Sequence, residues 1–380
     1  MQTATDGDQF KPVPAAEGLA PHLRLLFGQL SDAVALHASG SASRADIDVA
    51  MRLGAGYSQG PFEVLAEMGS DAARFGVVAE HVVEQEQADD GVTAPEWVGP
   101  AAVVGTGHMA AGIVEAIARS GRPVTVLGRS AESLGRLVAA VTRSVDRSLA
   151  KGRLSSADAA GIRDAISPTT QRAALAEVDV VVEAVAEDLA VKQELFAGLD
   201  AALPQSVTLA SNTSSFGIAE IAGEIAARRP VLGLHFFNPA QVMKLVEVIS
   251  VGGPGSAVAP TARAWVRALG KTPVACADSR GFIVNRLLIP FLNDAAREHE
   301  GGAGVEEIDT LMVERAGHPM GPFALIDLIG LDITVATLAS MAEVGDDPRL
   351  VPAGVLHDLI AEGRLGRKSG RGFHDYGATR

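Results

Sequence analysis

The chain contains one cysteine, Cys276, among 380 residues, so it cannot form an internal disulfide bond. This is typical of proteins from a reducing compartment. Aromatic residues are also scarce at 4%, whereas apolar residues make up 47% of the sequence. A large core can therefore form, mainly from small aliphatic side chains, and such a composition favours helices packed closely on strands over a β-sandwich.

Long apolar runs and excess positive charge are missing as well. No run approaches the ~20 residues that a membrane-spanning helix needs, and the N-terminal sequence MQTATDGDQF lacks the features of a secretory signal. The formal net charge is −14, from 32 basic and 46 acidic residues. Such a charge argues against a general surface for nucleic acid or anionic membranes. We expect a cytoplasmic protein with no nucleic-acid or membrane partner.

The middle of the chain alternates short β-type runs with helical stretches. The predicted strands cover residues 101–105, 123–128, 179–185, 206–211, 230–237 and 244–251. This alternation predicts βαβ units and a largely parallel, doubly wound sheet. Helical patterns dominate before it and from Arg280 onward, so we predict an α/β domain flanked by all-α helical domains.

A gapless internal repeat links the two ends of the chain. Residues 46–69 align with residues 307–330 at a constant offset of 261, and the GPF tripeptide occurs at the same place in both. A match of this length indicates a duplicated helical unit. The predicted domains are a helical copy at 1–85, a linker at 86–99, the α/β domain at 100–278 and a C-terminal helical domain at 279–380.

A glycine-rich segment, VVGTGHMAAG, follows the first predicted strand and opens a helix. Gly105 and Gly107 fit the first two glycines of the dinucleotide fingerprint, which allow a tight turn and close approach of the backbone to a pyrophosphate. The strand–turn–helix context favours a nucleotide site, flanked by His108 and Met109, over a plain turn. The α/β domain is therefore predicted to be a Rossmann-type dinucleotide-binding domain.

The second predicted strand ends in Gly128, Arg129 and Ser130 instead of the acid that usually holds the ribose hydroxyls. Arg129 and Ser130 could accept a 2′-phosphate, because a guanidinium matches phosphate geometry. Alternatively, Arg129 is a solvated loop residue and the ribose is held more loosely. NAD and NADP both stay open as cofactors.

His235 and Glu247 lie in two consecutive apolar runs, separated by the turn signal Asn238-Pro239. Buried charges need partners, and two adjacent strands could bring the carboxylate to one imidazole nitrogen. The carboxylate would then fix the tautomer and leave the other nitrogen for a substrate oxygen. A core histidine and an unrelated strand-edge glutamate are the alternative on spacing alone.

Longer motifs resemble the 3-hydroxyacyl-CoA dehydrogenase family, in particular its 3-hydroxybutyryl-CoA dehydrogenase-like members. They are VEAVAEDLAVKQELF (182–196), LASNTSSFGIAEIAG (209–223), GLHFFNPAQVMKLVEVI (233–249), DSRGFIVNRLL (278–288), GHPMGPFALIDLIGLD (317–332) and GRKSGRGFHDY (366–376). The resemblance covers nearly all of residues 101–376. It implies an oxidoreductase of fatty acid metabolism that interconverts short-chain (S)-3-hydroxyacyl-CoA and 3-oxoacyl-CoA with a nicotinamide cofactor.

The resemblance also implies residue roles. The catalytic set would be His235 as general acid and base, Glu247 as its partner, Ser214 on the substrate oxygen, and Asn285 from the helical domain. Glu187, Lys192, Asn212 and Asn238 match positions that contact the cofactor or line the same cleft. No metal ligand is implied.

A basic stripe follows the second strand. Arg136, Arg143, Arg147 and Lys151 are spaced 7, 4 and 4 residues apart, which places them on one helix face. The resemblance implies that Arg143, Arg147 and Lys151 bind the substrate through the phosphates of CoA. An acyl-carrier-protein thioester would suit the same stripe, and a solvated helix face is the alternative.

The N-terminal copy has Arg24 where the C-terminal copy has Asn285, so we interpret it as structural. In the family the C-terminal domain forms the dimer interface, and an inert copy could fill that surface. We expect a monomer with an internal pseudo-dimer, or else a homodimer. Alternative functions are a dehydrogenase for a carrier-bound or free hydroxy acid of secondary metabolism, and a non-catalytic nucleotide-binding protein.

Overall fold

The computed structural model describes residues 16–76, 97–251 and 256–377. The chain divides into a sheet unit, residues 39–54 and 85–283, and a helical unit, residues 1–38, 55–84 and 284–380. Most of the predicted linker at 86–99 lies outside the described residues. The domain boundaries drawn from the sequence stay a prediction.

Helices and strands have the following bounds. The strands are β1 (Ala101–Val104), β2 (Val124–Leu127), β3 (Ile166–Thr169), β4 (Val180–Glu183), β5 (Thr208–Ser211), β6 (Val231–Phe236), β7 (Leu245–Ser250) and β8 (Thr272–Ala277). The helices are α1 (Pro21–Leu25), α2 (Phe27–Ala38), α3 (Arg44–Gly54), α4 (Pro61–Glu67), α5 (His108–Arg119), α6 (Ala131–Ala150), α7 (Ser156–Asp164), α8 (Leu189–Ala202), α9 (Ile218–Ala222), α10 (Ala259–Ala268), α11 (Val284–Glu300), α12 (Val305–Ala316), α13 (Pro322–Ile329), α14 (Leu331–Ala342) and α15 (Gly354–Ala361).

The sheet unit is built on one sheet with the strand order β3-β2-β1-β4-β5-β6-β7-β8. All neighbouring strands are parallel except β6 and β7, which are antiparallel. The first six strands have the order of doubly wound dinucleotide-binding folds. Strands β1 and β4 to β7 are buried along their whole length, as expected for a sheet covered on both faces. The predicted α/β fold class is confirmed.

The sequence carries no clear signal for two strands, β3 and β8, which form the two edges of the sheet. Each contains a proline, Pro168 in β3 and Pro273 in β8. Proline cannot donate a ladder hydrogen bond, so it is tolerated at sheet edges. Strand β3 is also partly exposed, and it therefore lacks the apolar run that marks the inner strands.

The helical unit packs α2 against α11, and α11 in turn contacts α13, α14 and α15. At the offset of 261, helices α2, α3 and α4 correspond to α11, α12 and α13. Both copies of the sequence repeat thus form the same series of helices. Helix α3 belongs to the sheet unit, where it packs against β7 and β8.

Among the described residues, no single helix has the length and apolarity to cross a bilayer. The pair α13 and α14, bent by 91° between its halves, meets those criteria on length and composition alone.

Candidate active site

The predicted glycine turn connects β1 to α5. Gly105 has a φ of 132°, and a Cβ there would lie 2.3 Å from the carbonyl oxygen of Ala184, so only glycine fits. Gly107 is the N-cap of α5, and no atom lies within 4 Å of the place where its Cβ would be. The turn is therefore tightly packed on the sheet side and open above the helix N-terminus. This is the arrangement that a pyrophosphate group requires.

His108 and Met109 open α5 directly after this turn, His108 exposed and Met109 half-buried. At the end of β2, a Cβ on Gly128 would lie 2.7 Å from the side chain of Leu134. Glycine thus lets α6 pack closely at the end of that strand. Arg129 is exposed. Ser130 caps α6, since its hydroxyl accepts the Ser133 N–H at 3.2 Å.

His235 and Glu247 lie directly opposite each other in the antiparallel pair β6–β7. The Nδ1 atom of His235 lies 2.6 Å from Oε2 of Glu247, which is fully buried. Oε1 of the same carboxylate accepts the backbone N–H of Ile283 at 3.1 Å. A carboxylate at this place requires Nδ1 to be the donor, so Nε2 of the neutral ring is left as the acceptor.

The histidine ring lies among aromatic side chains, 4.5 Å from the ring of Phe237 and 5.6 Å from that of Phe282. Phe282 has a φ of 49°, and among the described residues it is the one non-glycine residue with a positive φ. Such a backbone is strained for a bulky residue. It immediately precedes the N–H that binds Glu247. Phe282 is not among the predicted site residues.

Ser214 lies in the loop that follows β5, and this loop is held by side-chain acceptors. Oε1 of Glu187 accepts the backbone N–H groups of Ser214 and Ser215, both at 3.0 Å, and the hydroxyl of Thr213 at 2.5 Å. Oδ1 of Asn212 accepts the N–H of Phe236 at 2.8 Å. The loop is thereby tied both to the end of β4 and to the strand that carries His235.

Lys192 is buried, with 1% of its surface exposed, and it bridges two carboxylates. Its Nζ lies 2.8 and 3.0 Å from the two oxygens of Glu183 and 3.1 Å from Oε2 of Glu187. Ser211 donates its hydroxyl to Glu183 at 2.5 Å. Burial raises the pKa of Glu187, but Lys192 and the hydrogen bonds from the loop outweigh it, and the net pKa is lowered. Glu183 lies in the same motif (182–196) as Glu187 and Lys192, but it is not among the predicted site residues.

Five of the predicted segments follow the carboxyl ends of parallel strands. They are the turn at Gly105 after β1, Arg129 after β2, Glu187 after β4, Asn212 to Ser214 after β5, and Asn238 after β6. Such ends meet at one edge of the sheet, which is where open α/β folds bind their ligands. The structure thus brings the cofactor candidates and the His235–Glu247 pair into one unit.

The remaining candidates lie on helices or at a helix end. Arg143 and Arg147 are exposed on α6, and Lys151 is exposed at its C-cap. Asn285 is half-buried near the start of α11, in the helical unit. The roles assigned to all these side chains stay predictions. The described residues contain no group of three or more His, Cys, Asp or Glu side chains that could hold a metal ion.

Comparison with known proteins identifies the family. The model of the 3-hydroxyacyl-CoA dehydrogenase NAD-binding domain matches residues 100–279, and that of the C-terminal domain matches twice, at 23–109 and 281–376. The 3-hydroxybutyryl-CoA dehydrogenase of Clostridioides difficile is 37% identical over 276 residues, covering 72% of this chain and 98% of that protein. The human mitochondrial hydroxyacyl-coenzyme A dehydrogenase is 40% identical over 283 residues, covering 72% and 90%.

The crystal structure of FadB2 from M. tuberculosis superposes with a TM-score of 0.69 at 38% identity, covering 73% of this chain and 99% of that one. Sheet order, glycine turn and these matches define an NAD-binding dehydrogenase. The chain belongs to the 3-hydroxyacyl-CoA dehydrogenase family, and it carries the C-terminal domain of that family twice.

Proposed function

We propose that this chain is an NAD-dependent dehydrogenase that interconverts short-chain (S)-3-hydroxyacyl-CoA and 3-oxoacyl-CoA. The observation that carries the proposal is the contact between His235 and the buried Glu247 in the unit that also holds the glycine turn. The substrate class is supported by relatives such as the (S)-3-hydroxybutyryl-CoA dehydrogenase PaaH1 from Ralstonia eutropha. Its structure superposes with a TM-score of 0.68 at 37% identity, covering 73% of this chain and 99% of that one.

The chemistry follows from the arrangement of the pair. In the oxidative direction, Nε2 of His235 accepts the proton of the 3-hydroxyl group as the C3–H bond breaks, and the carbonyl forms. A dinucleotide held at the Gly105–Gly107 turn would supply the hydride acceptor for C3, or the hydride donor in the reverse direction. The imidazolium exists only once the proton has moved, so Glu247 stabilises the transition state more than the ground state.

The loop residues complete the proposed site. Ser214 would donate its hydroxyl to the substrate oxygen, and Glu187 holds the backbone of this loop by two N–H bonds at 3.0 Å. Asn285 is proposed as a further catalytic residue on the strength of its motif alone.

NADP(H) is the second candidate cofactor. Gly128 and Arg129 follow strand β2 at the place where an acid usually holds the ribose hydroxyls and repels a 2′-phosphate, and Arg129 is exposed. Comparing kcat/KM for NADH and NADPH with one substrate decides between them.

The acyl group has two candidate carriers, CoA and acyl-carrier protein. Arg143, Arg147 and Lys151 form an exposed cationic stripe in a chain of net charge −14, which suits the phosphates of CoA as well as an acidic carrier protein. Rates with acetoacetyl-CoA and with acetoacetyl-acyl-carrier protein separate the two. Carrier-bound turnover alone would favour the secondary-metabolism alternative.

The direct test follows NADH consumption with acetoacetyl-CoA. The wild type should turn over, whereas His235→Gln should lose about 10³-fold or more in kcat, within the range for a general acid–base group. Dinucleotide binding and the thermal unfolding midpoint of the variant serve as controls and should stay near the wild-type values. Comparable activity of the variant would contradict the assignment. Binding of the dinucleotide by the wild type without any turnover would favour the non-catalytic alternative.

A further inference from the structure

The two copies of the repeat meet each other inside the helical unit. We call residues 23–76 repeat 1 and residues 284–337 repeat 2, which correspond at the offset of 261. Tyr57 and His318 are equivalent positions by this offset. Their rings stack on each other, with centroids 3.7 Å apart and an angle of 12° between the planes. A position that contacts its own equivalent lies on a local two-fold axis.

The flanking residues contact each other reciprocally. A Cβ on Gly56 would lie 3.1 Å from Cγ of Pro319, and a Cβ on Gly317 would lie 2.3 Å from Oγ of Ser58. Positions 56 and 317 are equivalent, and so are 58 and 319. Each contact therefore has a counterpart with the two repeats exchanged. That reciprocity is the signature of an isologous interface, in which one surface patch meets a copy of itself.

The longest helices of the two repeats take part in the same arrangement. Helices α2 and α11 are equivalent, and they pack against each other. Gln29, which is 1% exposed, donates its amide to the carbonyl of Leu287 at 3.2 Å and to the Tyr57 hydroxyl at 3.1 Å. The buried amide of Gln29 is thus paired with groups of both repeats, as a stable interface requires.

An arginine bridges the repeats from outside them. Arg349 donates to Asp294 of repeat 2 at 2.7 Å and to Asp32 of repeat 1 at 2.5 Å. A Cβ on Gly28 would lie 2.4 Å from Cζ of this guanidinium, so glycine makes room for it. The bridge has no two-fold equivalent, because Arg349 lies beyond the end of repeat 2.

We propose that repeat 1 covers, within the same chain, the α11 face with which repeat 2 would otherwise pair with a second copy. An isologous interface uses the same patch on both partners, so a patch already filled from within offers nothing to another chain. The protein is therefore a monomer that contains one internal pseudo-dimer. Repeat 1 has Arg24 at the position of Asn285, so each such assembly carries one catalytic set and one dinucleotide site.

Light scattering on the full chain tests the proposal without reference to activity. The expected result is a single species of 39.1 kDa at every concentration measured. A stable species of twice that mass would overturn the proposal.

A cross-link tests whether the two repeats that meet belong to one chain. Built Cβ positions of Gly56 and Pro319 are 3.8 Å apart, which is near the average of about 3.8 Å for disulfides. The double variant Gly56→Cys/Pro319→Cys is made with Cys276→Ala, so that no other thiol is present. Oxidation should give a disulfide-linked chain of monomer mass whose gel mobility changes on reduction. Peptide mapping should recover the link between positions 56 and 319.

The matched control is Gly56→Cys with Cys276→Ala, which has the same backbone substitution but one thiol. It should give no internal link. A covalent dimer of the double variant, joined from position 56 of one copy to position 319 of another, would mean that repeat 1 exchanges between chains. That outcome would overturn the proposal whatever mass light scattering gives for the unlinked protein.

Discussion

Replacing Glu247 by glutamine is the sharpest perturbation of the proposed catalytic pair. The two oxygens of the carboxylate each face an N–H group, that of the His235 ring at 2.6 Å and that of Ile283 at 3.1 Å. Glutamine has nearly the same shape but offers one oxygen and one NH₂ group. If its oxygen faces the ring, the NH₂ group opposes the Ile283 donor. If its oxygen faces Ile283, the NH₂ group donates to Nδ1, and the ring proton moves to Nε2.

The second arrangement removes the acceptor that takes the substrate proton. The first keeps the tautomer but leaves the developing imidazolium without its counter-charge, in a place where Glu247 is fully buried. A hydrogen bond to a charged group is worth about 1.5–3 kcal/mol, and the wrong tautomer adds to that loss. We expect kcat to fall about 10³-fold, which corresponds to about 4 kcal/mol of activation free energy.

The assay measures kcat and KM for acetoacetyl-CoA by NADH consumption, together with the Kd for NADH. Glu115→Gln is the matched control, because it also removes a buried carboxylate from the sheet unit, one that pairs with Arg119 at 2.6 Å. The control should lose stability but not kcat. A Glu247→Gln enzyme with kcat close to the wild-type value, or a control that loses as much, would refute the reasoning.

Three further predictions concern other parts of the molecule. Burial lowers the pKa of His318 from 6.5 to about 4. Between pH 6.5 and pH 4 this histidine is protonated in the unfolded chain but neutral in the folded one, so the folded state loses stability as the pH drops. From pH 7 to 5 urea unfolding should show a loss of about 2 kcal/mol that His318→Phe lacks, and an equal loss in both would contradict it. Lys192→Met should lower the free energy of unfolding by about 3–5 kcal/mol, and it should lower kcat because Lys192 helps to hold the Ser214 loop through Glu187. Adding Glu183→Gln should recover part of the lost stability in urea unfolding. A double variant less stable than Lys192→Met alone would contradict a buried ion pair between Lys192 and Glu183. Arg129→Ala should lower kcat/KM for NADPH roughly tenfold or more and leave kcat/KM for NADH unchanged. An equal effect on both values would contradict binding of the 2′-phosphate by Arg129.

The features that the sequence predicted well share a physical cause. Strands buried on both faces appear as apolar runs, so β1, β4, β6 and β7 were visible, although the structure shortens each by one to three residues. The turn at Asn238 separates two of these runs, and an antiparallel pair then places positions 235 and 247 opposite each other. Local pattern and long-range pairing agreed there, which is the condition for a reliable inference.

Other features depend on partners that are distant in the sequence. Glu183 ends the apolar run of β4, and nothing near it shows that Lys192 and Ser211 supply its hydrogen bonds. The strain at Phe282 depends on a carboxylate 35 residues earlier, which its neighbours do not reveal. Helix α3 looks like part of a helical domain, yet it packs on β7 and β8, because tertiary contacts override the order of the chain.

The stack of Tyr57 on His318 has a consequence for how the chain can vary. In an assembly of two identical subunits, a side chain on the symmetry axis contacts the same side chain of the other subunit. Each substitution there occurs in both subunits, so the new side chain must pack against its own copy. Once both halves are encoded in one polypeptide, the two positions mutate independently. An aromatic phenol facing an imidazole is a pairing that perfect symmetry forbids, and it records that this freedom has been used.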